Sequence, residues 1–228
     1  MDKKKVIFLG DSITMGYGLE NREYRYSTVF CQMVDCEEIN FGITGTLIAR
    51  AGVSVPDNVA FIDRYEWMPD EGDLVVIFGG TNDYWWPDVP IGDETSTDVA
   101  YYHCALRKLC EGLKEKYPST PIMFIIPYPH RGRGNFLGGK HFKDATNHKT
   151  NELNFVGNSL KDYCDLIREI CPRYDIPTLD LYYNGDMDIL GNDEDFAKYT
   201  LDGCHPSIEG HKHIAEKLYQ FVQENKLL

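Results

Sequence analysis

Five residues from four separate stretches of the chain are of the types that nucleophilic acyl chemistry uses: Ser12, Gly45, Asn82, Asp202 and His205. A serine hydroxyl is a weak nucleophile until a neighbouring base can take its proton, and that base needs a third group to fix its tautomer. His205 lies three residues after Asp202 with Gly203 between them. That spacing lets a single turn set a carboxylate against an imidazole. Attack on a carbonyl also develops an oxyanion, which calls for preorganised donors. The Ser12 N–H, the Gly45 N–H and the Asn82 side-chain amide can supply three. The missing Cβ of Gly45 lets its backbone approach a ligand closely.

Taken singly, each residue has a plainer reading. Ser12, after Gly10-Asp11, can be a helix-capping serine, and Asn82 in Gly80-Thr81-Asn82-Asp83 a turn residue. Asp202 can form an Asx-turn and His205 can be an ordinary loop histidine. Only the combination points to catalysis. Other motifs are absent: there is no Gly-x-Ser-x-Gly elbow, Walker A loop, Gly-x-Gly-x-x-Gly or His-Glu-x-x-His. Cys204, His205, His211 and His213 could suggest a metal cluster. However, His211-x-His213 on a helix points to different faces, so surface histidines are expected and no metal.

The elements that must position these residues follow from the apolar pattern. Short buried-strand runs fall at Lys5–Leu9, Glu37–Phe41, Leu74–Phe78, Ile122–Ile126 and Thr178–Leu181. Between them Val99, Tyr102, Leu106, Leu109 and Leu113 recur at helical spacing, as do Val156, Leu160, Tyr163, Ile167 and Ile170. A last helix carries Ile214, Leu218 and Phe221, with Ser207 as its N-cap. Alternating β and α elements predict one α/β domain spanning residues 1–228, built on a parallel sheet covered on both faces. Ligands bind outside the carboxyl ends of such strands. Ser12 follows the first strand, Thr44-Gly45 the second and Gly80 to Asp83 the third, so all point to one edge. The stretch Asp202-Gly203-Cys204-His205 precedes the last helix and can close over that edge.

Composition narrows the function. The 228 residues are 43% hydrophobic and 13% aromatic, enough for a substantial core, and carry a formal charge of -13. So acidic a chain lacks the basic face that nucleic-acid binding needs. The apolar run after Lys3-Lys4-Lys5 is too short for a signal peptide, and no stretch is long enough to span a bilayer, so no membrane insertion is expected. Seven cysteines, with no Cys-x-x-Cys pair, fit reduced thiols in a cytoplasmic protein.

The blocks that carry these residues resemble those of the SGNH (GDSL-type) hydrolase family. Phe8-Leu9-Gly10-Asp11-Ser12-Ile13-Thr14 is similar to its first block and Asn40-Phe41-Gly42-Ile43-Thr44-Gly45 to its second. Gly80-Thr81-Asn82-Asp83 is similar to its third, and Asp202-Gly203-Cys204-His205-Pro206-Ser207 to its fifth. The blocks occur in family order across nearly the whole chain. The resemblance implies a flavodoxin-like three-layer α/β/α fold and hydrolysis of acyl esters without metal or other cofactor. It places Ser12, Gly45, Asn82 and His205 on the four family letters.

Two features could shape specificity. Tyr84, Trp85 and Trp86 directly follow Asn82 and Asp83, so a pocket wall of aromatic rings is expected near the reacting carbonyl, against the alternative that they pack under the next loop. The stretch from His130 to Asn151 is basic, with Arg131, Arg133, Lys140, His141, Lys143, His148 and Lys149. It can be a binding loop for an anionic group, or a solvated loop or subunit contact. The leading expectation is an esterase of short acyl groups, acetyl above all, on a small-molecule or carbohydrate substrate. A lysophospholipase or thioesterase acting on longer chains is the enzymatic alternative, and a non-catalytic binding protein the remaining one. Oligomeric state is left open.

Overall fold

Apolar side chains occupy every second position on both faces of the central strands, and this double periodicity builds the fold. In the computed structural model, which describes residues 3–50, 59–85, 89–131 and 149–228, the strands are β1 (Lys5–Gly10), β2 (Glu37–Gly42), β3 (Leu74–Phe78), β4 (Ile122–Ile126) and β5 (Thr178–Asp180). The helices are α1 (Ser12–Met15), α2 (Tyr26–Val34), α3 (Phe61–Arg64), α4 (Thr81–Trp85), α5 (Tyr102–Lys116), α6 (Leu160–Ile170), α7 (Leu181–Asn184), α8 (Asp193–Tyr199) and α9 (Ile208–Asn225). The strands form one all-parallel sheet in the order β2-β1-β3-β4-β5, with Phe8 opposite Asn40 and Val76. This is the flavodoxin-like order, whose ligand crevice opens between the first and third strands.

Val6, Phe8, Leu74, Val76, Phe78, Met123 and Ile125 face a core shared with α2 and α9. Ile7, Leu9, Val75, Ile77, Ile122, Phe124 and Ile126 face a second core shared with α5 and α6. Burial of each such side chain stabilises the fold by roughly 1.5–3 kcal/mol. The layered α/β/α architecture expected from the sequence is therefore the observed one.

Helix ends are set by local chemistry. At α6, Ser159 and Asp162 form a reciprocal capping box, with the Ser159 N–H donating to Asp162 Oδ2 at 2.7 Å. The cap starts the helix at Leu160. Val156, expected within the helix, is instead half-exposed outside it. Val99 likewise precedes α5 rather than joining it. Ser207 caps α9 as expected, accepting from the Gly210 N–H at 3.1 Å. All seven cysteines are free and buried. No helix among the described residues is long and apolar enough to cross a membrane.

Candidate active site

β1 ends at Gly10, and the chain turns at once into α1. Asp11, not Ser12, is the N-cap: its Oδ1 accepts from the Ile13 N–H at 2.9 Å. That leaves the Ser12 hydroxyl free of capping duty at the carboxyl edge of the sheet. His205, distant in sequence, lies with its Nε2 2.9 Å from Ser12 Oγ. Its Nδ1 is 2.8 Å from Asp202 Oδ2. A carboxylate only accepts, so Nδ1 carries the proton and Nε2 is left to accept from the Ser12 O–H.

Asp202 also makes the Asx-turn allowed by its position. Its Oδ1 accepts from the N–H groups of Cys204 at 2.9 Å and His205 at 2.7 Å. The turn and the imidazole contact share one carboxylate, so the two sequence readings coexist. Burial by itself would raise the Asp202 pKa. The hydrogen bond and charge of His205, together with the two backbone donors, outweigh it and hold the carboxyl below its ordinary value.

The turn itself depends on Gly203, which sits at φ +93 with its carbonyl accepting from the Arg131 N–H. A Cβ there would lie 1.6 Å from the Arg131 carbonyl oxygen. Tyr128, buried, donates its hydroxyl to the Cys204 carbonyl at 2.5 Å. Trp85 Nε1 donates to His130 Nε2 at 2.7 Å, which leaves His130 Nδ1–H to donate to the Tyr128 carbonyl at 3.0 Å. A buried network thus backs the segment that carries His205.

On the other side of the crevice, Asn82 lies in the first turn of α4, with its Nδ2 donating to the Thr46 carbonyl at 3.0 Å and lying 3.4 Å from Asp11 Oδ2. One N–H is firmly anchored, and the other makes a contact too long to be strong. Gly45 adopts φ +73 in the turn after β2. Nearby Gly42 could not serve as a donor in its place, because its N–H is already bonded to Asn40 Oδ1 at 2.9 Å.

Two residues to which the sequence reading gave no role hold this loop in place, Asp83 and Arg64. Asp83 is buried, and its two carboxylate oxygens accept from the Ile48 N–H at 3.0 Å and the Ala49 N–H at 2.9 Å. Burial pushes its pKa up to about 7, against the lowering effect of those donors. Arg64 is 0% exposed. Its guanidinium donates to the carbonyls of Val59 (3.0 Å), Phe41 (2.6 Å) and Gly10 (2.9 Å) and to Thr46 Oγ1 (2.8 Å). One side chain therefore ties together the ends of β1 and β2 and the Gly45 loop. Asp11, whose pKa burial pushes up to about 6, lies close enough to feel the charges of His205 and Arg64. The only sequence signal for Arg64 is a cation in the otherwise apolar-rich stretch Ala60-Phe61-Ile62-Asp63-Arg64.

Two expectations are corrected. Tyr84 is not a pocket wall: it is fully buried in the α5/α6 core, its hydroxyl donating to the Glu152 carbonyl at 3.1 Å. Trp85 is also buried, packed behind the His205 segment, and Trp86 lies outside the described residues. His211, expected at the surface, is fully buried, because α9 turns that face inward onto α2. Its Nδ1 accepts from the Tyr26 N–H at 3.1 Å, and burial lowers its pKa to about 3. Of the basic stretch, residues 132–148 lie outside the described residues. Arg131 and Lys149 are described and pair as an antiparallel bridge; Arg131 contacts Asp193 and lies over the Phe196 ring.

No curated protein matched the sequence. A structure of a protein from Lactobacillus plantarum shares 29% identity, covers 98% of each chain and superposes with a TM-score of 0.81. A possible lipase from Chitinophaga pinensis shares 20% identity over 99% of this chain and 100% of its own, with a TM-score of 0.72. An acetyl xylan esterase, AlAXEase, shares 22% identity over 96% of this chain and 99% of its own, with a TM-score of 0.60. The last two likenesses speak to fold alone. The model of the GDSL-like lipase/acylhydrolase family matches residues 8–213, which is most of the chain. The chain belongs to that family of ester hydrolases.

Proposed function

We propose that the protein hydrolyses short acyl esters of hydroxyl compounds, acetyl esters first among them, through a Ser12–His205–Asp202 triad. The observation that carries this reading is the continuous chain of contacts from Ser12 Oγ through both nitrogens of His205 to Asp202, at 2.9 and 2.8 Å. His205 Nε2 takes the Ser12 proton as Oγ attacks the ester carbonyl carbon. Asp202 holds the Nδ1 proton in place and offsets the charge of the imidazolium that forms. The oxyanion is received by the Ser12 and Gly45 N–H groups and the Asn82 amide. His205 then passes its proton to the departing alcohol oxygen, leaving an acyl-serine. Water then attacks the acyl carbon as His205 takes its proton; the bond to Ser12 Oγ breaks, His205 returns the proton to Oγ, and the carboxylic acid leaves.

The acetyl group and the carbohydrate bearer are taken into this proposal from the name of an acetyl xylan esterase that shares the fold; a shared fold by itself does not carry specificity. The aromatic pocket wall expected at Tyr84 does not support the acetyl preference, since that ring is buried.

Ser12→Ala is expected to fold as wild type and to lose nearly all activity on p-nitrophenyl acetate. A fluorophosphonate should label wild type at Ser12 alone. An active Ser12→Ala enzyme, or label on another serine, would sink the triad. A p-nitrophenyl series from acetate to decanoate tests the acyl preference separately: kcat/KM rising through octanoate would replace it with a long-chain lysophospholipase or thioesterase reading.

A further inference from the structure

α1 ends in a turn that brings an aromatic ring back over the candidate base. The Ser12 carbonyl accepts from both the Gly16 N–H at 3.0 Å and the Tyr17 N–H at 2.9 Å, so the turn is anchored on the nucleophile's own backbone. Tyr17 then lies against His205, with ring centroids 4.6 Å apart and planes tilted by 42°. The phenol is nonetheless 40% exposed, far more open than His205 at 5%. Gly18 follows at φ +82, and a Cβ there would lie 2.7 Å from Leu201 Cδ1, so this turn and the segment leading to Asp202 pack side by side. Leu201 is 41% exposed, and its N–H donates to the His205 carbonyl at 2.8 Å. A part-exposed aromatic ring therefore lies against His205, and a part-exposed aliphatic side chain lies beside the turn that carries that ring.

The chemistry decides which half of an ester meets them. In the tetrahedral intermediate the oxyanion points to Asn82 and the Gly45 loop, while the leaving oxygen must come within hydrogen-bond reach of His205 Nε2 to receive its proton. The alcohol half thus lies on the His205 side of the reacting carbon. Resting on the Ser12 triad reading, we propose that Tyr17 and Leu201 form a subsite for the alcohol half of the substrate, and that it takes a ring alcohol presenting a flat apolar face. A tyrosine offers a broad, rigid surface for such a face, and stacking on an aromatic ring adds to simple area burial. Sugar rings and aryl rings share this chemistry, and the assay separates them.

The test holds the acetyl group constant and varies the alcohol: ethyl acetate, phenyl acetate and a methyl O-acetyl-pyranoside, each with wild type, Tyr17→Phe, Tyr17→Ala and Leu201→Ser. Intrinsic leaving-group reactivity cancels when each substrate is compared between enzymes. For Tyr17→Ala, kcat/KM for a ring acetate should fall about tenfold further than for ethyl acetate, the equivalent of one good stacking contact. Tyr17→Phe should keep the wild-type ratio, and Leu201→Ser should shift it the same way by less. A larger fall with the pyranoside identifies a sugar subsite, and one with phenyl acetate an aryl subsite. Both support the proposal. If Tyr17→Ala lowers all three substrates equally, Tyr17 only steadies His205 and the subsite is overturned. If the p-nitrophenyl acetate-to-hexanoate ratio changes instead, the ring lies on the acyl side, and the proposal is equally overturned. Neither result touches the triad, whose failure would show as residual activity in Ser12→Ala.

Discussion

Replacing Arg64 with methionine removes a buried cation while keeping most of its volume. The effect can be worked from its four acceptors, all within 3.0 Å: the carbonyls of Val59, Phe41 and Gly10 and the Thr46 hydroxyl. A hydrogen bond from a charged donor contributes roughly 1.5–3 kcal/mol net, which would suggest a loss well above 5 kcal/mol if the four simply added. They do not simply add. Gly10 O keeps a second donor, the Ile43 N–H at 3.1 Å, and methionine recovers the several kcal/mol spent on desolvating a guanidinium. Against that, Asp11 is left buried with less positive charge nearby. The expected loss is therefore about 3–5 kcal/mol of folding stability, typical of removing one member of a buried charged network. Catalysis should fall as well, because the bonds to Phe41 and Thr46 hold the loop bearing Gly45, and a misplacement of about 1 Å in a reacting group costs on the order of 100-fold. Urea denaturation read by Trp fluorescence gives the stability, and kcat on p-nitrophenyl acetate gives the rate at a temperature where the variant stays folded. Arg64→Lys, which keeps the charge but not the planar fork, should fall between wild type and methionine on both measures. Stability within about 0.5 kcal/mol of wild type and kcat within about twofold for Arg64→Met would refute the reasoning, since that is the range of an inconsequential surface change.

Asn82→Ala should lower kcat by roughly 100- to 1,000-fold with little change in KM, because the N–H that makes only the long 3.4 Å contact with Asp11 can turn to an oxyanion that exists only after attack; a rise in KM alone would assign it to ground-state binding. Gly203→Ala should cost both stability and kcat, since φ +93 and the 1.6 Å approach to the Arg131 carbonyl leave no room for a methyl group, and an unaltered thermal midpoint would show that the turn can relax. For Asp83 the sign runs opposite to the common carboxylate case. Its folded pKa of about 7 lies above its unfolded value, so the folded state holds the proton longer, and the group's contribution declines as pH rises from about 4 to about 7. Asp83→Asn should flatten that part of the stability–pH curve by at most about 4 kcal/mol, at roughly 1.4 kcal/mol per pH decade, in urea titrations at fixed pH. Parallel wild-type and variant curves would place the shift elsewhere.

The sequence alone determined the sheet and the edge to search. Runs such as Val6-Ile7-Phe8-Leu9 and Leu74 to Phe78 are apolar at consecutive positions, a pattern stable only with both faces covered, so they could be read as central parallel strands without coordinates. The residues at their carboxyl ends, Ser12, Gly45 and Asn82, were legible for the same reason: chain position places them. Asp202 and His205 were legible because three residues and a glycine make a self-contained turn. Tertiary structure decided what depends on direction rather than position. Tyr84 and Trp85 follow Asn82 in sequence, but α4 rotates them away from the crevice into the core and the His205 support. His211 is polar, yet lies on the inward face of α9 and caps the backbone of α2. Arg64 has no motif at all. Its role arises only because two strand ends and a loop, drawn from positions 10 to 59, leave several acceptors converging on one buried point. Tyr17 is in contact with His205 only because the fold brings the two ends of the chain together, and no local pattern records a contact of that range.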